Sequence, residues 1–466
     1  MKVVVVGYGM AGARLVGELT GHGAVELTVL GAERHRAYNR IQLANLVAGR
    51  TTEEQLALVE RTGRGVALRL GVTATAIDRT GRTVSTSDGS AVPYDRLVLA
   101  TGSRPLLPPV KGLVDDDGGY PERLAAFRTL DDCRRIVGLA GRSRSALVLG
   151  GGLLGLEASR GLAARGLRVT VLHAVGHLME RQLDPAASEV LASTLDTLGV
   201  HVELDVTTVA VESYPDRVDA VLADGRRLTA EMFVVACGVR PETALAERAG
   251  LAVQRGIVVD DRLRTSDPRI FAIGDCAQHN GVVSGLVAPA WSQARVVVDV
   301  LTGRRPLARY RPRPPMTRLK AAGIDLATMG DSTHVNGDPV TYTDPTRGTY
   351  AKLVVRDNRL AGAIMLGDNP TVGTVIQLFD RGGPLPADLR SLLLGRSLGA
   401  DAPGAEASPA LMPDAAVVCQ CNTVTKGDLV RSWRTGERTL ATTGCGGCRD
   451  AVEGIVTWLS TVEGAS

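Results

Sequence analysis

Two stretches of this chain repeat one pattern, and the pattern dictates a fold. Residues 3–19 read VVVVGYGMAGARLVGEL, and residues 145–173 read SALVLGGGLLGLEASRGLAARGLRVTVLH. Each is a short apolar run, a glycine cluster, and then a segment with helical spacing. Gly7, Gly9 and Gly12 form G-x-G-x-x-G, and Gly150, Gly152 and Gly155 form it again. In this spacing the first glycine allows a tight turn, the second lets backbone approach a pyrophosphate, and the third lets the helix pack on its strand. Met10, Ala11 and Leu154 then open the helices, whose free N–H groups face the anion. The chain is therefore expected to be α/β, with two Rossmann-like dinucleotide-binding folds in series.

The residue ending the next strand sharpens this reading. VELTVLGAE is a second strand, and Glu33 stands about 20 residues on, where an acid holds a ribose hydroxyl. In the second copy the corresponding strand ends in His173 instead, and no tight arginine cluster offers a site for a 2′-phosphate. Arg181 is the nearest arginine downstream. We expect NADH rather than NADPH there.

The bulk composition excludes several classes. At 466 residues the chain is too long for one core. Charge is nearly balanced at +3, and aromatics are only 3%, so no nucleic-acid partner is expected. No stretch of 18 or more apolar residues is present, so no membrane span is expected. MKVVVVGYGMAGA imitates a signal peptide, but glycines break its apolar run and the expected location is the cytoplasm. Cys133, Cys237 and Cys276 read as small buried hydrophobes of a reducing compartment.

Two further motifs complete an order. LVLATGSRP places Ala100, Thr101 and Gly102 at a strand end, and TSDPRIFAIGDCA places Asp275 at another. Asp275 is positioned either to accept from a ribityl hydroxyl or to cap the following helix. In this order the motifs resemble the two-dinucleotide-domain flavoprotein reductases over about residues 1–400. The resemblance implies FAD on the first fold, NAD(P)H on the second, and the three-layer ββα form of both.

The resemblance also narrows the chemistry. Disulfide reductases of this superfamily carry a redox cysteine pair after the first ribose acid. GAERHRAYNRIQLANLVAGR holds no cysteine there, so thiol chemistry is not expected. AYNRIQL resembles the segment touching FAD in rubredoxin reductases and in the large subunit of NADH-dependent nitrite reductase. Arg40 then lies near the flavin, or else is a surface cation. Glu157 reaches the nicotinamide amide, or is a favourable first-turn acid. VVACGVRPETAL resembles the return strand of the NAD domain, with Gly238 near the nicotinamide. Trp291, in VAPAWSQARVV, flanks the isoalloxazine or is core.

The expected organisation is as follows. Residues 1–110 and 241–309 form the FAD-binding domain, and residues 111–240 the NAD(P)H-binding domain. Residues 310–398 form a small α+β domain, which the resemblance places on the flavin face as an interface domain. Residues 399–415, rich in Ala and Pro, are a linker. Residues 416–466 form a small helical module. It holds Cys419 and Cys421 in VVCQCNTVTKGDL and, after a spacer of 23 residues, Cys445 and Cys448 in TTGCGGC. Four thiolates suit zinc or an iron–sulfur cluster. Thr425 and Asp428 form a capping box for one helix, and RDAVEGIVTWL makes a second. The module resembles the [2Fe–2S] domain of bacterioferritin-associated ferredoxin, with a shorter spacer. That module follows the flavin domains in nitrite reductase large subunits and in the electron-transfer subunit of assimilatory nitrate reductase. The expected activity is that of an NAD(P)H-dependent FAD oxidoreductase taking electrons from NADH through FAD and a [2Fe–2S] cluster to a separate enzyme. That partner is expected to be the molybdenum catalytic subunit of nitrate reductase. Beyond Cys448 no sirohaem site is expected. The rival readings are a ferredoxin, rubredoxin or nitrite reductase component whose cysteines hold structural zinc or serve docking, and a redox sensor acting by binding.

Overall fold

The computed structural model describes residues 1–20, 25–58, 65–319, 321, 323–333, 337–369, 371–394, 409–419, 422, 424–443 and 448–463. Its first 300 residues build one architecture twice. In the first copy, five parallel strands run in the order Val66–Leu70, Glu26–Gly31, Lys2–Val6, Arg96–Leu99 and Ile270–Ala272. In the second the order is Val200–Glu203, Arg168–Leu172, Ser145–Leu149, Met232–Val235 and Leu124–Ala126, again all parallel. The valine run of the first strand follows from this position, because a central parallel strand is covered on both faces. Val3, Val4 and Val5 are accordingly buried.

A three-stranded antiparallel sheet accompanies each parallel one. The first joins Ala74–Asp78, Thr83–Thr86 and Ala91–Pro93, and the second joins Thr208–Ser213, Val218–Leu222 and Arg227–Ala230. Both copies thus have the expected three-layer form. The edge strands show how the chain threads them. Ile270–Ala272 reaches the first sheet only after the whole second fold, while Leu124–Ala126 precedes the second fold's glycine strand. The two crossings, Ser103–Pro105 and Val239–Pro241, pair antiparallel with each other. This ribbon joins the segments just beyond one strand end in each fold.

Five antiparallel strands follow, in the order Met316–Leu319, Leu326–Gly330, Arg359–Leu366, Thr349–Arg356 and Asp338–Asp344. The helix Val372–Arg381 buries Val375 against them. This α+β unit joins the second fold's core through Leu326, Tyr350, Ile364 and Leu366. At the start of the helix Pro185–Thr197, Asp184 accepts from Tyr350 Oη at 2.9 Å and pairs with Lys352 Nζ at 2.8 Å.

The described part of the C-terminal module pairs Val417–Cys419 with Val424–Thr425 and packs the helices Lys426–Thr435 and Arg449–Glu463 together. Thr425 and Asp428 form the expected capping box. The helix ends at Gly436, whose φ of +72° is the left-handed conformation that glycine supplies. Among the described residues no helix is long and apolar enough to cross a membrane.

Candidate functional site

The two glycine loops have one geometry. A Cβ on Gly7 would lie 2.1 Å from the Ala100 carbonyl oxygen, and one on Gly150 would lie 2.6 Å from that of Ala236. A Cβ on Gly12 would lie 2.0 Å from the Gly7 carbonyl oxygen, and one on Gly155 only 1.8 Å from that of Gly150. The outer glycines are thus required by the protein's own packing. The middle ones are not. Around Gly152 nothing lies within 4 Å of the missing Cβ, and around Gly9 the nearest atom is Arg40 Nε at 3.8 Å. A side chain there would fill only the space in front of the helix. Gly9 and Gly152 are also the N-caps of the helices Met10–Leu19 and Leu153–Ala164, which have no side-chain cap and no acid in the first turn. Their N-terminal N–H groups are left for an anion, and both loops fit a dinucleotide pyrophosphate. Ala100–Gly102 and Ala236–Gly238 occupy matching places beyond Leu99 and Val235. Thr101 Oγ1 donates to the Glu242 carbonyl at 2.7 Å, and Leu106 N donates to the Gly238 carbonyl at 3.0 Å.

In front of the first loop, side chains from distant segments converge. Glu33 accepts from Arg40 through Oε1 and from Tyr38 Oη at 2.8 Å through Oε2. The Arg40 guanidinium lies 4.9 Å from the Tyr38 ring centre and donates to the Arg128 carbonyl. Burial opposes its charge, yet Tyr38 and Glu33 outweigh that and raise its pKa. Arg40 is therefore no free surface cation. Asp275 lies in a 3-10 turn, Gly274–Cys276, and the next helix, Val287–Leu301, has Leu286 at its N-cap. The capping alternative for Asp275 thus fails. Its carboxylate instead pairs with Arg128 at 2.7 Å and accepts from Ser103 Oγ at 2.9 Å. Gly274 places this turn against Ala11, 3.1 Å from where a Cβ would stand. Arg128 and Ser103 escaped the sequence reading. Ser103 follows the Ala-Thr-Gly motif directly, whereas nothing around Arg128 marks it, because it arrives from the second fold.

The second loop is lined differently. Glu157 is buried and lies beyond the first turn, which corrects its reading as a first-turn acid. Leu154, in that first turn, packs against the core. His173 turns inward. Its Nδ1 accepts from Gly151 N at 3.1 Å, and Nε2 lies 3.1 Å from the His177 carbonyl. Nδ1 accepts, so the proton is on Nε2 and is donated to that carbonyl. Glu180 Oε2 stands 3.4 Å from the same Nε2.

Burial raises the pKa of the thiols Cys133 and Cys276 and takes Cys237 to about 11, so none is a thiolate at neutral pH. Cys419 and Cys448 are also buried, but in a different setting. They share an apolar cluster with Val424, Leu429, Ile455 and Leu459, and with Met10 and Trp291 of the first fold. Thr442 N donates to Cys448 Sγ at 3.3 Å, an interaction that favours negative sulfur. Cys421 and Cys445 lie outside the described residues, and no group of three or more metal-binding side chains occurs among those described. The donor chemistry of the full set fits a metal or cluster held by thiolates.

Trp291 anchors this packing. Its Nε1 donates to the Met10 carbonyl at 3.0 Å, and the Arg14 guanidinium lies 5.3 Å from its ring centre. Arg14 Nη1 donates to Asn422 Oδ1 at 3.2 Å, and Asn39 Nδ2 donates to the Thr443 carbonyl at 3.1 Å. The structure thus places Trp291 in the core between the first glycine helix and the cysteine module. A cavity of about 560 Å³ runs along this junction, lined by Arg14, Glu18, Trp291, Arg295, Asn422 and Thr443 among others.

Comparison with known proteins agrees with this geometry. Residues 1–294 match the pyridine nucleotide-disulphide oxidoreductase family, and residues 315–378 match the rubredoxin NAD+ reductase C-terminal domain. An assimilatory nitrate reductase electron transfer subunit from Bacillus subtilis is 33% identical over 99% of this chain and 60% of its own length. A nitrite reductase (NADH) large subunit from Escherichia coli is 34% identical over 96% of this chain and 54% of its own length. The chain spans about half to three fifths of these curated relatives. Among solved structures, the covalent putidaredoxin reductase–putidaredoxin complex superposes with a TM-score of 0.73 at 28% identity, over 82% of this chain and 93% of that one. The chain therefore belongs to the pyridine nucleotide-disulphide oxidoreductase family and is an oxidoreductase.

Proposed function

We propose that this chain passes electrons from NADH, by way of FAD, to a [2Fe–2S] centre held by Cys419, Cys421, Cys445 and Cys448, and on to a separate enzyme. For that acceptor we propose the molybdenum subunit of an assimilatory nitrate reductase. Bound FAD supplies the conversion of a two-electron hydride into single electrons, and a cluster supplies a one-electron carrier. In this reading residues 1–110 and 241–309 hold FAD, with Gly9, Met10 and Ala11 at its pyrophosphate, Glu33 at its ribose, and Asp275 and Arg40 along its length. Residues 111–240 hold NADH at Gly152 and Gly238. Residues 310–398 are the interface domain, 399–415 a linker, and 416–466 the cluster module.

The observation that carries the proposal is the shared cluster of Met10, Trp291, Cys419 and Cys448. A purely structural zinc module has no need to sit over the start of the first glycine helix. The kinship with an electron transfer subunit supports the same direction. The test is an electron paramagnetic resonance spectrum of the purified chain, reduced without oxygen by NADH. A reduced [2Fe–2S] signal is expected. A silent spectrum with bleached flavin and bound zinc would sink the relay.

A further inference from the structure

The second fold lacks an acid where its ribose-binding strand ends, and the structure brings one there from further along the chain. Gly151 is clasped from both sides: its N–H donates to His173 Nδ1 at 3.1 Å, and its carbonyl accepts from Met179 N at 3.0 Å. Space beside it is closed as well, since a Cβ would meet Leu178 at 2.6 Å and His173 at 2.7 Å. Met179 takes a φ of +50°, unusual for a side chain of its kind and held by these contacts. That turn re-aims the chain, so that the next residue, Glu180, comes back to 3.4 Å from His173 Nε2. The His173 ring thereby spans from the glycine loop to the Glu180 carboxylate.

We infer that Glu180, beside His173, is the acid that accepts the adenosine ribose hydroxyls of NADH and turns away the 2′-phosphate of NADPH. The inference rests on reading the second fold as the nicotinamide nucleotide site. Glu180 is 36% exposed on its side chain, so its oxygens are open to a ligand. Among the described residues no lysine or arginine pairs with it, so its negative charge is not offset there. A dianionic phosphate brought to this carboxylate meets like charge, whereas a diol meets an acceptor. The neighbouring Arg181 is the rival determinant, because it would welcome the phosphate.

The experiment is calorimetric titration of the flavin-loaded full chain with NAD+ and with NADP+, which reads binding without turnover. The unaltered protein is expected to bind NAD+ at least about tenfold more tightly. Glu180→Gln, an isosteric change at an exposed site, is expected to bring the two affinities within about threefold of each other. A ratio unchanged by Glu180→Gln, or an unaltered protein that prefers NADP+, overturns the inference and moves the determinant to Arg181. Gly152→Val separates the two readings. If that variant still binds both nucleotides, the second fold is not the nucleotide site, and the assignment of Glu180 falls with it.

Discussion

The two glycine loops share a backbone and differ in what stands before them. In the first, the acid Glu33 comes from the strand-end segment itself, pairs with Arg40 and accepts from Tyr38. In the second, the strand end is an inward-facing His173, and the acid Glu180 arrives seven residues later with no lysine or arginine paired to it among the described residues. The first loop is also roofed by the cysteine module through Met10 and Trp291. The second instead supports the α+β unit at a distance, through Asp184 and Lys352. The shared backbone fits the same group in front of both loops, a pyrophosphate. The differing surroundings are ones of charge: Glu33 is paired with Arg40, while Glu180, about equally exposed, has no lysine or arginine paired to it among the described residues.

The largest expected effect tests the shared half of this comparison. Gly155→Ala and Gly12→Ala each drive a methyl group into a backbone carbonyl that cannot retreat without moving a central strand. Each is expected to destabilise its fold by about 3 kcal/mol or more, seen as a fall in Tm. A Gly155→Ala protein that melts like the parent would break the packing account.

The next tests separate the loops. Gly9→Val and Gly152→Val place their side chains in open space, so both proteins are expected to stay folded by circular dichroism. Gly9→Val is expected to purify without flavin. Gly152→Val is expected to keep its flavin and lose roughly 100-fold in kcat/KM for its reduction by NADH, about 2.7 kcal/mol of binding. An FAD-replete Gly9→Val protein contradicts the first assignment.

A smaller effect tests the roof. Trp291→Phe removes one hydrogen bond to Met10 while keeping most of the ring. Rapid mixing with NADH is expected to show flavin reduction at its normal rate and transfer to the cysteine module slowed roughly tenfold, since small displacements cost rate steeply. Equal rates for both steps would mean that the docked arrangement does not matter to transfer.

The smallest concerns the second fold's attachment. Burial alone would raise the Asp184 pKa, but Lys352, the Ala187 N–H and the Tyr350 hydroxyl outweigh it and hold the carboxyl below its usual range. A depressed folded value stabilises the protein above the unfolded value of about 4 and is lost as pH falls through the folded one. The parent is expected to lose stability from this source as pH falls below about 4. Lys352→Met is expected to flatten that part of the acid dependence, measured by denaturant unfolding.

Much of this was legible from residues in line. The glycine-loop strands and their partners Glu26–Gly31 and Arg168–Leu172, the capping box at Thr425 and Asp428, and the helix after Cys448 follow from local patterns, because each depends on neighbours a few positions away, whereas the edge strands Val66–Leu70, Leu124–Ala126 and Val200–Glu203 were not read. Arg128 beside Asp275 and Glu180 beside His173 were not legible. Each pairing joins segments whose separation carries no periodic signal. For Asp275 the contact with Arg128 and the place of the next helix remove the capping reading, and for Arg40 its pairing with Glu33 removes the free-cation reading.

By itself the sequence determined that this chain would form two dinucleotide folds and carry four closely spaced cysteines after them. Glycine spacing is a local steric demand, and a row of valines before it satisfies only one kind of strand. The tertiary structure alone decided which cation pairs with Asp275 and where the cysteine module rests. Those contacts join residues far apart in the chain, Arg128 to Asp275 across 147 positions and Arg14 to Asn422 across 408. Such contacts arise from the packing of whole layers, and no short stretch of the chain encodes them.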